Sequence, residues 1–300
     1  MTADYANLNH ELKYRIARIP ILGRALVTIY RAKFALGYLY TPLVAFVRWL
    51  FTSKEITNFT YNLSANNERY LASMISDVLT VEFSTIVRYI EEIEEDDQLR
   101  RHIASVTAES DLAFMADTEV RFGRRVGWYA FARALKPCVV VETGVDKGLG
   151  ACILTAALKR NKAEGYIGKY YGTDINPKAG YLLCGEYADF GTIMYGDSIE
   201  SLRTFHGTID LFINDSDHSP DYEYSEYCTI ANKLSKRSIL LGDNSHYTDR
   251  LWKFSVETGR HFLFFQEKPT EHWFEGAGIG ISFNRLSSTA AMPVSLPTER

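Results

Sequence analysis

The sequence is short of the features that would place a 300-residue chain quickly. Its four cysteines, Cys138, Cys152, Cys184 and Cys228, stand 14, 32 and 44 residues apart. With no C-x-x-C pair and no closely spaced set, a disulfide framework and a cysteine-rich zinc module are both excluded. Their apolar surroundings predict reduced, buried thiols in a cytoplasmic protein. No secretory signal is expected either, so the sequons at Asn58-Phe59-Thr60 and Asn62-Leu63-Ser64 are read as chance. There is no basic surplus: 33 Lys and Arg against 37 Asp and Glu give a net charge of −4. That balance offers no global field for nucleic acid, and none is expected as a partner. A long uncharged run is missing as well. The longest near the N-terminus, Phe34 to Val47, has 14 residues and contains Pro42, against the ~20 needed to cross a bilayer.

What the chain does have is ordinary for a folded protein: 46% hydrophobic and 23% charged residues, which excludes a disordered, collagen-like or polytopic membrane chain. At ~150 residues per domain, the length predicts two domains or one large domain with an appendage. Charge is distributed unevenly. Residues 1–54 hold eight basic side chains against Asp4 and Glu11, an excess of +6 that leaves −10 for the remainder. The apolar segment 16–51 also carries Tyr38, Phe46, Trp49 and Phe51. It reads as a helical arm packed on its own core or a partner subunit, with peripheral contact to an anionic membrane as the other reading.

Helical spacing continues from Ser64 to Leu135. Ser64 or Asn66 is a candidate cap with Glu68 in the first turn, Val81 to Ile93 repeats apolar residues at helical intervals, and a last helix runs from Thr118. The run Glu91 to Asp97 holds six acids in seven positions and predicts a solvated helix end or loop.

After Pro137 the pattern changes. Cys138 to Val141 is a continuous apolar run, as a buried parallel strand requires. It leads through Glu142-Thr143-Gly144-Val145-Asp146-Lys147-Gly148-Leu149-Gly150 into a helix. Glycines at such a turn let the backbone approach a ligand. A dinucleotide site would need G-x-G-x-x-G, and that fingerprint fails here. An acid at the strand end with E-x-G-x-x-x-G-x-G suits a cationic, phosphate-free nucleoside such as S-adenosylmethionine. Three more strands follow, each ending in an acid: Tyr170 to Thr173 before Asp174, Gly191 to Tyr195 before Gly196-Asp197-Ser198, and Ile209 to Asn214 before Asp215-Ser216-Asp217-His218. A fifth, Ser238 to Gly242, runs into Asp243-Asn244-Ser245-His246. Carboxylates and a carboxamide on adjacent strand ends are hard oxygen donors, suited to Mg²⁺, Mn²⁺ or Ca²⁺.

Residues 118–285 resemble the class I S-adenosylmethionine-dependent methyltransferases, and within them the metal-dependent O-methyltransferases of the catechol, caffeoyl-CoA and macrolide-sugar types. The likeness rests on the glycine loop, the strand-end acids and the D-x-x-H of Asp215 and His218. It implies an α/β, Rossmann-like seven-stranded sheet, mostly parallel with the last strand antiparallel. The domains would be a helical N-terminal region (1–117), a methyltransferase domain (118–285) and a flexible tail (286–300). It further implies cofactor contacts from Glu142, Gly144, Gly148, Asp174, Asp197, Ser198 and Asp215. Metal ligation would fall to Asp215, Asp243 and Asn244, with His218 as general base.

The acceptor implied is a hydroxyl on a glycan or glycosylated molecule, with a catechol-like phenol second, and a homo-oligomer is expected. The catechol-type lysine base is absent. Asp217 is left as a fourth ligand or a support for His218, and His246 as a substrate contact or scaffold. His261 to Gln266 and Gly278 to Phe283 read as the two terminal strands, with Glu271 to Phe274 between them as an acceptor-pocket loop. A metal-independent methyltransferase, a nucleotide-dependent oxidoreductase and a non-catalytic membrane-associated protein are the competing readings.

Overall fold

The computed structural model describes residues 14–15, 17–57, 60–117 and 119–285. The expected tail, 286–300, and the first residue of the expected methyltransferase domain, Thr118, lie outside them. The chain forms two compact units. The first is built on helix α1 (Leu22–Thr52) together with Glu271–Phe274. Within it, the Trp273 ring lies 5.9 Å from Phe46 and 5.2 Å from Trp49. The loop expected at an acceptor pocket thus groups with the N-terminal helix.

The second unit holds the sheet. Helices α2 (Ala65–Leu79), α3 (Phe83–Glu94) and α4 (Asp97–Glu109) precede α5 (Arg125–Leu135). Each buries an apolar stripe at three- and four-residue spacing, such as Leu71, Ile75 and Val78 on α2 and Ile86, Ile90 and Ile93 on α3. Asp96 starts α4 by accepting a hydrogen bond from Leu99 N at 2.9 Å. Two acids of the run 91–97 are therefore bound rather than merely solvated: Asp96 as this cap, and Glu92 as the acceptor for Tyr129 Oη and Arg133 Nε.

The strands are β1 (Val139–Thr143), β2 (Lys169–Asp174), β3 (Gly191–Tyr195), β4 (Ile209–Asn214), β5 (Leu234–Gly242), β6 (His261–Gln266) and β7 (Gly278–Phe283). Their order is β3-β2-β1-β4-β5-β7-β6, parallel from β3 to β5, with β7 antiparallel to both β5 and β6. Helix α6 (Leu149–Ala163) packs on β1 and β2, and α5 packs on α6. Helices α7 (Ser198–Thr204), α8 (Pro220–Ile230) and α9 (Arg250–Glu257) close over another layer. There Val141, Phe212 and Leu240 from the strands meet Leu202, Tyr227 and Phe254 from the helices. Burial of such side chains, at about 25 cal/mol per Å² of apolar surface, holds the strand ends in place.

The thiols depart from expectation. All four are free, but only Cys152 is buried, while Cys138 and Cys228 are exposed. Cys138 stands just before β1 rather than inside it, and Cys228 is on the solvent side of α8.

Strand order reverses between β1 and its neighbours β2 and β4. In an open α/β sheet, a crevice opens at the carboxyl ends of the strands at that point. Asp174, Asp197, Asp215 and Asp243 all lie at or just beyond the strand ends along that edge.

Candidate active site

The turn after β1 is shaped by two glycines with left-handed backbone, Gly144 at φ 81° and Gly148 at φ 98°, a region that strains other residues. A side chain on Gly144 would collide with the backbone of Asp215, so this glycine lets the β1 and β4 tips close on one another. Gly148 starts α6. Asp174, half-buried at the tip of β2, accepts hydrogen bonds from Asp146 N at 2.9 Å and Asn176 N at 2.8 Å. It therefore ties the β1 turn to its own loop and retains lone pairs toward the crevice.

Asp197 is exposed and caps α7 through Glu200 N at 2.9 Å, while its other oxygen accepts from Tyr222 Oη at 2.9 Å. These bonds hold its carboxyl below the usual carboxylate range. Ser198 is buried and bonds Tyr222 Oη at 2.9 Å and Glu226.

One cleft, of about 480 Å³, is lined by Gly144, Asp146, Asp174, Asp197, Ser198 and Asp215 among others. A second cavity is lined by Glu142, Gly144, Asp146 and Asp215, with Thr107, Asp117, Glu119 and Arg125 on its helical side. Gly144, Asp146 and Asp215 border both.

A methyltransferase-domain family profile matches residues 141–245, a span running from β1 to the turn after β5. Those residues are similar to a methyltransferase domain. Together with the strand order, the match bears out the likeness to the class I S-adenosylmethionine-dependent methyltransferases. No curated protein matches the chain in sequence.

Among solved structures, an S-adenosylhomocysteine-bound methyltransferase of Podospora anserina, PaMTH1, is similar at 20% identity. It covers 63% of this chain and 88% of that one, with a TM-score of 0.46. The O-methyltransferase TomG of Streptomyces achromogenes, involved in tomaymycin synthesis and solved with S-adenosylmethionine, is 15% identical over 63% of this chain and 91% of its own, with a TM-score of 0.46. A methyltransferase of Geobacter sulfurreducens is 16% identical over 64% and 92%, with a TM-score of 0.47.

Within the matched span, Glu142 is 1% exposed and accepts from Tyr170 Oη at 2.5 Å. Burial pushes its carboxyl up to about 7, against the opposing pull of that hydrogen bond and of Arg125. A cation brought beside it would favour the ionised form. The donor set thus fits S-adenosylmethionine: a buried carboxyl for positive charge, a half-buried carboxylate for a diol, and close backbone at Gly144. A buried Thr173 hydroxyl at the cleft also has no partner in the protein.

The oxygens expected to hold a metal are differently engaged. Asp243, 5% exposed, forms an ion pair with Arg124, itself 4% exposed, with Arg124 Nη2 donating to Asp243 Oδ2 at 2.7 Å. Asn244 Oδ1 meets His218 Nδ1. Asp215 faces Arg125 at 3.7 Å. Burial first, then the neighbouring Asp243 charge, pushes the Asp215 carboxyl well above its usual range, with Arg124 and Arg125 opposing. Two guanidiniums supply positive charge to the carboxylates that a divalent ion would need, and Asp243 has both oxygens on one of them. The residues in this arrangement do not fit a resident Mg²⁺, Mn²⁺ or Ca²⁺. Among the described residues there is also no group of three or more His, Cys, Asp or Glu that could hold a metal ion.

His218 is exposed, one residue beyond Asp217, which lines the cleft. An amide oxygen can only accept, so with Asn244 in this orientation the contact places a hydrogen on Nδ1. Glu223, on α8, lies near enough for His218 to lower its carboxyl, although burial raises it overall. Asp217 accepts from Ser219 N at 2.7 Å, shaping the turn into α8. His246 Nδ1 folds back to the carbonyl of Asp243 at 3.2 Å.

The motifs did not point to Arg124, Arg125, Tyr170 or Glu226. Glu226 is fully buried and accepts from Thr143 at 3.1 Å, Ser216 at 2.8 Å, Ser198 and Asn214. It joins the tips of β1, β3 and β4, and burial pushes its carboxyl up to about 7.

Proposed function

We propose that the chain is an S-adenosylmethionine-dependent O-methyltransferase acting on a hydroxyl of a sugar or glycosylated molecule, with His218 as base and no metal step. The observation that carries this reading is the shared border of the two clefts at Gly144, Asp146 and Asp215. A donor in the first directs its reactive end to the second. The second is walled by Glu55, Thr57, Thr60, Asp117 and Glu119. Such hydroxyls and carboxylates suit an acceptor rich in hydroxyl groups better than a flat phenol.

When bound, S-adenosylmethionine supplies a methyl carbon already activated on a sulfonium, which departs as a neutral thioether. The protein's own task is then alignment and proton removal. Asp174 would hold a ribose diol and Glu142 the cationic end, fixing the methyl group in line with the acceptor oxygen. Alignment of this kind is worth about 7–11 kcal/mol. His218 would take the acceptor proton on Nε2 as the oxygen–carbon bond forms, its ring held by Asn244.

The deciding experiment follows labelled methyl groups into glycan, lipid-linked glycan and phenolic pools, with Mg²⁺ and with EDTA. Transfer into a glycan pool at equal rates in both supports the reading. Transfer only into phenols, or only with Mg²⁺, overturns it.

A further inference from the structure

Helix α1 is continuous over 31 residues, about 46 Å at 1.5 Å per residue, and its apolar side chains are bare. Phe34, Leu36, Tyr38, Leu43 and Val44 are 50–72% exposed. At 100° per residue these five positions are spread around the helix circumference rather than along a single stripe. The loop 271–274 touches the C-terminal end of α1, where Trp273 lies on Phe46 and Trp49 and the exposed Glu271 is 3.8 Å from Arg48. A helix apolar all round belongs inside a medium that surrounds it.

Charge is segregated along the helix. Arg24, Arg31 and Lys33 stand before the uncharged stretch 34–47, Arg48 stands after it, and the helix holds no acid. We propose that α1 embeds its 34–47 stretch in a phospholipid bilayer containing anionic lipid, with Lys33 and Arg48 reaching the headgroups from either end. The stretch is about 21 Å long against a hydrocarbon core of about 30 Å, and long basic side chains make up such a difference by snorkelling. Pro42, which removes one internal hydrogen bond, is tolerated in helices of this setting. A second copy of the chain is the weaker occupant, because two helices with four cations and no acid repel, and no single seam is marked out for pairing.

The test is flotation of the full chain, purified in mild detergent, with vesicles of phosphatidylcholine alone or with one-third phosphatidylglycerol. Chymotryptic cleavage at Phe34, Tyr38 and Tyr40 is followed by mass spectrometry in parallel. The expected result is flotation strongest with anionic vesicles, and cleavage slowed at least tenfold by them. The double variant Leu36→Lys, Val44→Lys should float at least tenfold less while the sheet unit melts at an unchanged temperature. Equal cleavage with and without vesicles would overturn the proposal, as would protection without lipid in a dimer that stays at the bottom of the gradient.

Discussion

Replacing Arg124 with Leu should both loosen the fold and create a metal site that the unaltered protein lacks. The guanidinium is 4% exposed and its partner Asp243 5% exposed, so the substitution leaves a buried carboxylate beside Asp215 and Glu267 with its main counter-charge gone. Breaking a buried pair from one side costs about 3–5 kcal/mol. For a unit of this size each kcal/mol shifts the midpoint by about 2–4 °C, so Tm should fall by about 6–20 °C. The freed oxygens of Asp243, with Asp215 close by, then become hard donors for a divalent ion. If Mn²⁺ binds the folded variant with a Kd near 10 µM, then 1 mM returns about 2.7 kcal/mol by mass action, a rise of several degrees. The assay is thermal unfolding of both proteins in EDTA and in 1 mM Mn²⁺. The variant should be stabilised by Mn²⁺ and the unaltered protein should not. A rise of equal size in the unaltered protein would refute the argument that Arg124 occupies those carboxylates.

Three further outcomes follow from the site. His218→Ala should lower turnover by about 10²–10⁴-fold while calorimetry shows S-adenosylhomocysteine binding within twofold; equal loss of both would make the histidine structural. Gly144→Ala should abolish cofactor binding and lower Tm, because the new methyl group meets the Asp215 backbone at a left-handed φ; unchanged binding would contradict the close approach of β1 and β4. Glu226, with its carboxyl raised to about 7, binds its proton more tightly in the folded chain than in the unfolded one. It should therefore cost the fold about 3 kcal/mol as pH rises from about 4.5 to about 7. Urea midpoints across that window should fall more steeply for the unaltered protein than for Glu226→Gln, and parallel slopes would place the titration elsewhere.

The strands and their order were legible because their physics is local. Continuous apolar runs such as Val139-Val140-Val141 stand between Pro137-Cys138 and Glu142, and β3, β4, β6 and β7 begin and end where their residue patterns do. The glycine loop and the acids at the tips were legible for the same reason: a turn that needs left-handed backbone declares itself by glycine. The electrostatics were not. Arg124 meets Asp243 across 119 residues of chain, and nothing around Arg124 announces that partner, so a donor set of two acids and an amide read as a metal site. Asp197, expected as a cofactor contact, also caps α7, a role that its position before Ser198-Ile199-Glu200 already allowed. The bareness of α1 was open from sequence too, since an apolar helix can be covered by its own fold, by a partner or by lipid.

Calorimetric titration of the full chain with S-adenosylmethionine, repeated on Asp174→Asn, bears most directly on the idea that the β-strand tips form one donor cleft. One molecule should bind per chain, and the variant, which keeps the shape but loses the charge that would hold the ribose diol, should bind at least tenfold more weakly. No heat of binding to the unaltered chain, or equal affinity for both, would contradict it.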